Sequence, residues 1–302
     1  MRDGHRRRTA RSVVGRFVRL LPRRVGNRLR GVVERLHISW IRRFRRYGPA
    51  DLAVCLRSLG VREGDTLMVH SSFPATSGFT GKPGDVIDAL REVIGTGGHI
   101  MMVSLPYTGA TVDHLERGLV FDVRRTPSRM GIVSEFFRRR PGVLRSLHPS
   151  HPILVEGPEA GAMVRGHEEA LFPCGPGSPF QAGMDRDGKI VLLDAPLSTM
   201  TLFHWLEHEL RERLPFPLYH EPAYEAMVVD AAGERRTVRT LAFSREAIRR
   251  RRDNVLHREM WRRGVVARGR VGNSTVLVCR MREVAACALD MADRGVFFYD
   301  MD

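Results

Sequence analysis

The sequence predicts an α/β fold, a sandwich of helices around a largely parallel or mixed sheet. Short, almost wholly apolar runs alternate with amphipathic stretches from about residue 50 onward. The apolar runs lack the alternation of a half-exposed strand, so the strands they predict are covered on both faces. A chain of 302 residues that is 43% hydrophobic can bury such a core.

Each element follows from its own stretch. GPADLAVCLRSLGVREGD reads as a helix ending at Gly60, and TLMVHSS as a buried strand that empties into a turn of small polar residues. PGDVIDALREVIG places Val86, Ile87, Leu90, Val93 and Ile94 on one side of a helix, with Gly95 as its C-terminal stop. GHIMMVSLP is a second buried strand, GIVSEFFRRR a helix, HPILVEGP a short strand, KIVLLDAP another buried strand and MTLFHWLEHELRERL a long helix. Two β-prone runs around AAGE in 223–242 predict an antiparallel hairpin. SREAIRRRRDNVLHREMWRRG reads as one basic helix, and the GRVGNSTVLV region closes the chain.

The net charge of +15 belongs to the N-terminus. Residues 1–46 hold sixteen arginines against Asp3 and Glu34, whereas residues 47–302 carry 33 basic and 32 acidic side chains. The division predicted is a tail or amphipathic helix over 1–46 and one domain over 47–302. The tail's mixture of arginine with Val, Phe, Leu and Ile suits an acidic protein or an anionic membrane, and it predicts no sequence-specific nucleic-acid binding. No apolar run reaches the roughly 18 residues that span a bilayer, and four scattered cysteines suit a reducing compartment, so a soluble cytoplasmic protein is expected.

Four loops offer chemistry. VHSSF at 69–73 follows a strand, where backbone N–H groups can meet an anion or a polarised carbonyl. FDVRRTPSRMG at 121–131 leads into a helix that Thr126 or Ser128 can cap, with Arg124, Arg125 and Arg129 making a phosphate corner. VLRSLHPSHP holds two histidines that suit a metal pair, a rigid turn or a proton-transfer site. TLFHWLEHEL sets His204 one turn from Glu207 and from His208, spacings that can ligate zinc or orient a histidine, although the HExxH pattern is absent. Neither GxSxG nor a nucleotide-binding glycine pattern occurs, so no serine nucleophile, dinucleotide or P-loop nucleotide is predicted.

Taken in order, LGVREGDTLMVHSSF, FDVRRTPSRMGIVSEFFRRRPGVLRSLHPSHP, GPGSPF and GKIVLLDAPLSTMTLFHWLE resemble the aminoglycoside 3-N-acetyltransferase family, antibiotic N-acetyltransferases outside the GNAT fold. The resemblance runs from about Asp51 to the GRVGNSTVLV region. It implies a three-layer α/β/α fold with a mixed sheet, the hairpin being a small insertion, and transfer of an acetyl group from acetyl-CoA to an amine of an aminoglycoside or related natural product. The family's RSxHP histidine falls on His148 as general base, and the acid of its T-x-x-H-x-x-E helix falls on Glu207, which would hold that histidine. Ser71, Ser72, Phe73, Thr126, Ser128, Met130 and Gly131 would contact coenzyme A. His70, Asp122, Arg145 and His204 would support the site or face the acceptor. No metal is implied, transfer is expected to be direct in a ternary complex, and the chain is expected as a monomer or homodimer.

Two departures bear on the acceptor. Pro152 stands where the family motif carries a serine, and RRTPSR with the run 249–252 puts positive charge on loops expected to face the site. Both predict an acceptor less cationic than an aminoglycoside. The competing reading is a noncatalytic protein of the same fold whose basic tail engages an acidic partner.

Overall fold

The computed structural model describes residues 23–302, with side chains from residue 31 onward; expectations placed on residues 1–22 lie outside the described residues. Helix α1 (Arg23–Phe44) ends against the body, where Ile41 is fully buried and the Tyr47 hydroxyl donates to Ser274 at 2.8 Å. Helix α2 (Pro49–Ser58) begins at a proline, as a helix start favours, and the Asp51 carboxylate accepts the Gly48 N–H. Strand β1 (Thr66–Ser71), helix α3 (Pro83–Ile94) and strand β2 (His99–Val103) follow as predicted. Next come a short helix α4 (Thr111–Glu116), strand β3 (Phe121–Asp122), helix α5 (Ile132–Arg138) and strands β4 (Leu144–Arg145) and β5 (Ile153–Glu156). Helices α6 (Ala160–Val164) and α7 (Pro179–Asp185) precede strand β6 (Lys189–Leu193) and helix α8 (Phe203–Glu209). Strands β7 (Tyr219–Val229) and β8 (Arg235–Phe243), helices α9 (Arg245–Arg250) and α10 (Asp253–Arg262), strands β9 (Ala267–Val271) and β10 (Ser274–Arg280) and helix α11 (Met281–Asp293) complete the chain.

Seven strands form one mixed sheet in the order β4-β5-β2-β1-β6-β10-β9. Strand β1 runs parallel to β2 and β6, whereas β5, β10 and the edge strands are antiparallel to their neighbours. Side chains alternate across it: Leu67 and Val69 pack toward α2, α3 and α5, while Met68 packs toward α7, α8 and α11. Those two cores are the three-layer α/β/α arrangement that the continuous apolar runs require. The hairpin β7-β8 turns at 230–234 and takes β3 as a third, parallel strand, making a separate small sheet.

Two helices differ from expectation. The predicted long helix stops at Glu209 and continues only as a 3-10 turn, Arg211–Arg213. The predicted basic helix is broken at Arg251, whose extended backbone (φ −62°, ψ 132°) bridges to Tyr299. A run of arginines has no intrinsic breaker, so this interruption is imposed by what Arg251 contacts.

The junction of α1 with the body rests on two glycines. Gly78 and Gly272 have φ of +84° and +54°, and a Cβ at either would collide with the Arg45 carbonyl. Gly272→Ala is therefore expected to lower unfolding stability by at least about 2 kcal/mol in urea denaturation; a wild-type midpoint would contradict this close packing.

Candidate active site

The site lies where the parallel strands end. His70 and Ser71 pair with Leu192 and Leu193, so the loops after β1 and β6 leave the sheet side by side. The loop after β6 leads through Thr201, whose hydroxyl approaches Met68, into α8 with His204 and Glu207. Ser146–Pro152 reaches the same end because Val103 pairs with Ile153.

Glu207 has no exposed surface. Its Oε1 accepts from Arg251 Nε at 2.7 Å and from the Tyr299 hydroxyl, and its Oε2 accepts from Arg251 Nη2 at 3.0 Å. Burial alone would raise this carboxyl, but the Arg251 guanidinium, His204 and Tyr299 outweigh it and hold Glu207 below the usual carboxylate range. The remaining donor on Oε2 is His204 Nδ1, at 2.7 Å. An ionised carboxylate there fixes the proton on Nδ1, so Nε2 of the neutral ring carries the lone pair. The His204 side chain is 20% exposed, and its ring packs on Phe243 at 4.7 Å between centroids.

The expected pairing of Glu207 with His148 does not form. His148 is fully buried, and its Nδ1 faces the backbone N–H groups of Ser150 and His151 at 3.3 and 3.1 Å. Its ring stacks on His167 at 4.4 Å, and its Nε2 has no hydrogen-bond partner. Burial, then the neighbouring His167 and His151, hold His148 well below its ordinary value, so it stays neutral. His148 is thus an acceptor that shapes the RSLHPSHP turn, and the oriented histidine is the one a helical turn before Glu207. His151 connects the two: its Nδ1 meets the Ser150 hydroxyl at 2.9 Å, and its ring stands edge-on to His204 at 5.5 Å.

The other expected residues divide. Gly131 abuts the end of β1, where a Cβ would lie 3.6 Å from the Ser71 carbonyl, so the 71–73 turn and the TPSRMG loop are brought together. Ser72 N–H donates to Leu193, so that backbone donor of the turn is already committed. His70 is held down to about 4 by burial, and its Nε2 has no partner. Neither Thr126 nor Ser128 caps α5; Gly131 occupies that position, while the Glu135 carboxylate takes the Ser128 N–H and the Ser128 hydroxyl meets Ser134. Asp122 Oδ1 accepts the N–H groups of Arg124 and Arg125, and Thr126 Oγ1 in turn accepts the Asp122 N–H. Arg145 crosses beneath this loop, donating to the carbonyls of Thr126 and Ser104 and packing on Phe121. Met130 is partly buried against the core on the α8 side.

The arginine run is also corrected. Arg251 is spent on Glu207, Arg250 pairs with Glu246, and Arg252 pairs with Asp300. Three of its four charges are therefore matched rather than offered to an acceptor. Arg251, Tyr299 and Ser150 were missed as site residues; His204–Glu207 alone had a local signal, the i, i+3 spacing. His208 turns elsewhere, with Nδ1 on the Tyr219 hydroxyl at 3.0 Å. Among the described residues, no group of three His, Cys, Asp or Glu side chains is arranged to hold a metal ion.

The sequence profile described as aminoglycoside 3-N-acetyltransferase matches residues 68–293. The chain belongs to that family. It is 34% identical over 166 residues to aminoglycoside N(3)-acetyltransferase III of Serratia marcescens, an alignment covering 50% of this chain and 61% of that protein. The solved structure of AAC-IIIb binary with CoASH superposes with a TM-score of 0.69 at 23% identity, covering 83% of this chain and 98% of that one. AAC-VIa bound to sisomicin superposes with a TM-score of 0.68 at 25% identity, covering 83% and 99%. The folds agree across the seven-stranded mixed sheet and the smaller sheet beside it.

Among the described residues, no helix of this family member is long and apolar enough to cross a membrane. Its buried histidines set a pH limit. His70 and His167 are both pushed down to about 4 by burial, against about 6.5 in the unfolded chain. Below pH 6.5 the unfolded state binds the extra protons, so stability falls as pH drops from about 6.5 to about 4. Each group removes up to about 1.4 kcal/mol per pH unit in that window. Urea midpoints measured from pH 7 to 4.5 are expected to decline, and His167→Gln to decline less steeply from a lower starting value; parallel slopes would contradict the assignment.

Proposed function

We propose that the protein transfers an acetyl group from acetyl-CoA to an amine of an aminoglycoside or related natural product, with His204 as general base. The observation that carries this reading is the buried Glu207 carboxylate on His204 Nδ1, which leaves Nε2 directed away from that carboxylate. A protonated amine has no lone pair, so the amine attacks the thioester in its neutral form, and its nitrogen must give up one proton to a base as the bond forms. His204 Nε2 takes that proton, the amine nitrogen joins the acetyl carbon, the carbon–sulfur bond breaks, and the imidazolium returns a proton to the departing thiolate. Glu207 stabilises the transient imidazolium without itself being protonated, because Arg251 and Tyr299 hold it ionised. No acyl-enzyme is needed, since donor and acceptor meet in one ternary complex.

The residues around the 71–73 turn fit an acyl-CoA. With Ser72 N–H already committed, the Phe73 N–H and the neutral His70 ring remain as donors for the tetrahedral oxygen. From Gly131, α5 spans about 10 Å toward Arg138. There Arg124, Arg139, Arg145 and Arg165 line an open groove of about 830 Å³, suited to the phosphates of coenzyme A. The CoASH named with the AAC-IIIb structure and the sisomicin named with the AAC-VIa structure support this choice of donor and acceptor. Because the arginine run 249–252 is largely paired internally, its charge no longer argues against a polycationic acceptor.

His204→Ala is expected to lower kcat/KM for acetyl transfer at least about 100-fold, as loss of a general base does, with folding intact by thermal melting. His148→Asn is expected to lower the melting temperature and to leave kcat within about fivefold. Thiol release from acetyl-CoA with sisomicin measures both; the reverse ranking would return the base to His148. Arg251→Met removes one partner of a buried pair and is expected to destabilise the protein by about 3–5 kcal/mol. It also leaves Glu207 uncompensated beside His204, so kcat/KM is expected to fall by at least about tenfold as the histidine loses its ionised partner; an unchanged kcat/KM in the folded variant would deny Arg251 any part in setting the base.

A further inference from the structure

Helix α1 carries three faces along its described part. Ile41 is fully buried and Ile38 half-buried, and these anchor the helix to the body. A second arc holds Val32, Leu36, Trp40 and Phe44, each four residues from the last, with Val33 beside them. All five are exposed, Leu36 by 65% and Phe44 by 62%. Arg35, Arg42, Arg43 and Arg46 border this apolar arc, and Ser39, Arg42, Arg43, Phe44 and Arg46 edge an open depression of about 440 Å³. None of Arg42, Arg43 and Arg46 is in ion-pair contact with a carboxylate among the described residues. Arg43 instead lies over Phe44 and Arg45 over Trp40.

We propose that this face docks on an anionic membrane surface, with the apolar arc lowered into the headgroup boundary and the arginines on lipid phosphates. Charge complementarity selects the occupant, since residues 1–46 hold sixteen arginines against two acidic residues while the rest of the chain is nearly neutral. Apolar pattern selects between polyanions. A nucleic-acid backbone rewards the guanidinium groups but leaves Val32, Leu36 and Phe44 in water, whereas an anionic bilayer accepts both. Aromatic rings under arginines, as at Phe44 and Trp40, suit the depth where acyl chains give way to headgroups. The helix is anchored at its C-terminal end, where Ile41 and the Arg45 carbonyl meet Gly78 in the loop after β1, so the body would be held beside the membrane.

Flotation of the full-length chain with vesicles tests this. Binding is expected to be at least tenfold tighter to equal parts phosphatidylcholine and phosphatidylglycerol than to phosphatidylcholine alone, and to weaken in high salt. Leu36→Ser with Phe44→Ser keeps every charge and is expected to weaken binding at least tenfold, with unchanged melting temperature and unchanged acetyl transfer. The blue shift of tryptophan emission on binding should vanish in Trp40→Phe. Equal binding by the double variant, or tighter binding to polyuridylate RNA or polyglutamate than to the anionic vesicles, would overturn the proposal. Thiol release is read separately, so loss of vesicle binding and loss of the acetyltransferase reading are distinguishable.

Discussion

Everything at the candidate site depends on keeping one carboxylate charged in a place without water. An isolated carboxylate with the burial of Glu207 would take up a proton rather than remain ionised. Arg251 supplies the opposite charge in a two-point grip, and the Tyr299 hydroxyl takes up a further lone pair. What remains of the carboxylate's capacity is directed at His204. The pair is weak evidence for stability, because a well-packed apolar substitute can do as well; its use is in specifying a histidine tautomer. Three separated segments must meet to build it, which ties the site to the completed fold: α8, the break between α9 and α10, and the C-terminal Tyr299.

That requirement explains the break at Arg251. By propensity, 245–262 should be one helix, and arginine is among the better helix formers. A continuous helix would keep residue 251 on its cylinder. Extending the backbone there lets Arg251 pair with Tyr299 and reach Glu207, while Ser244 caps α9 and Asp253 lies in the first turn of α10. The lost helical hydrogen bonds are partly replaced, since Arg252 N–H donates to Phe298 and Asp300 N–H to Arg250. Local preference yields here to a tertiary ion pair.

The same contrast marks what could be read in advance. Strands β1, β2 and β6 were legible because burial on both faces leaves an unbroken apolar run, and the β7-β8 hairpin because its turn residues are distinctive. The family resemblance located the right loops, and the i, i+3 spacing of His204 and Glu207 was visible within one helix. The error lay in joining Glu207 to His148 across 59 positions, when a histidine three residues away was already within reach. Nothing in RSLHPSHP signals that its first histidine is fully buried with Nδ1 turned back on its own turn. Nor does Tyr299, three positions before the last residue, announce a contact with α8.

Pro152 takes a different meaning in this setting. Read as a missing hydroxyl beside the base, it implied an altered acceptor. Its carbonyl in fact accepts the Ser104 N–H, tying the turn to the end of β2, and the hydroxyl near the histidines comes from Ser150. Ser150 lies between His148 and His151, and His151 lies edge-on to His204. The turn therefore reaches His204 through packing: His148 accepts from the turn's N–H groups, the turn carries His151, and the His151 ring stands edge-on to His204. Such a chain of neutral buried rings is useful only while they stay neutral, and burial enforces that for His148, His151 and His167 alike. The partly exposed ring of the series is the one with a carboxylate behind it, so the histidine that a carboxylate orients and the histidines that only pack are different members of one contiguous cluster.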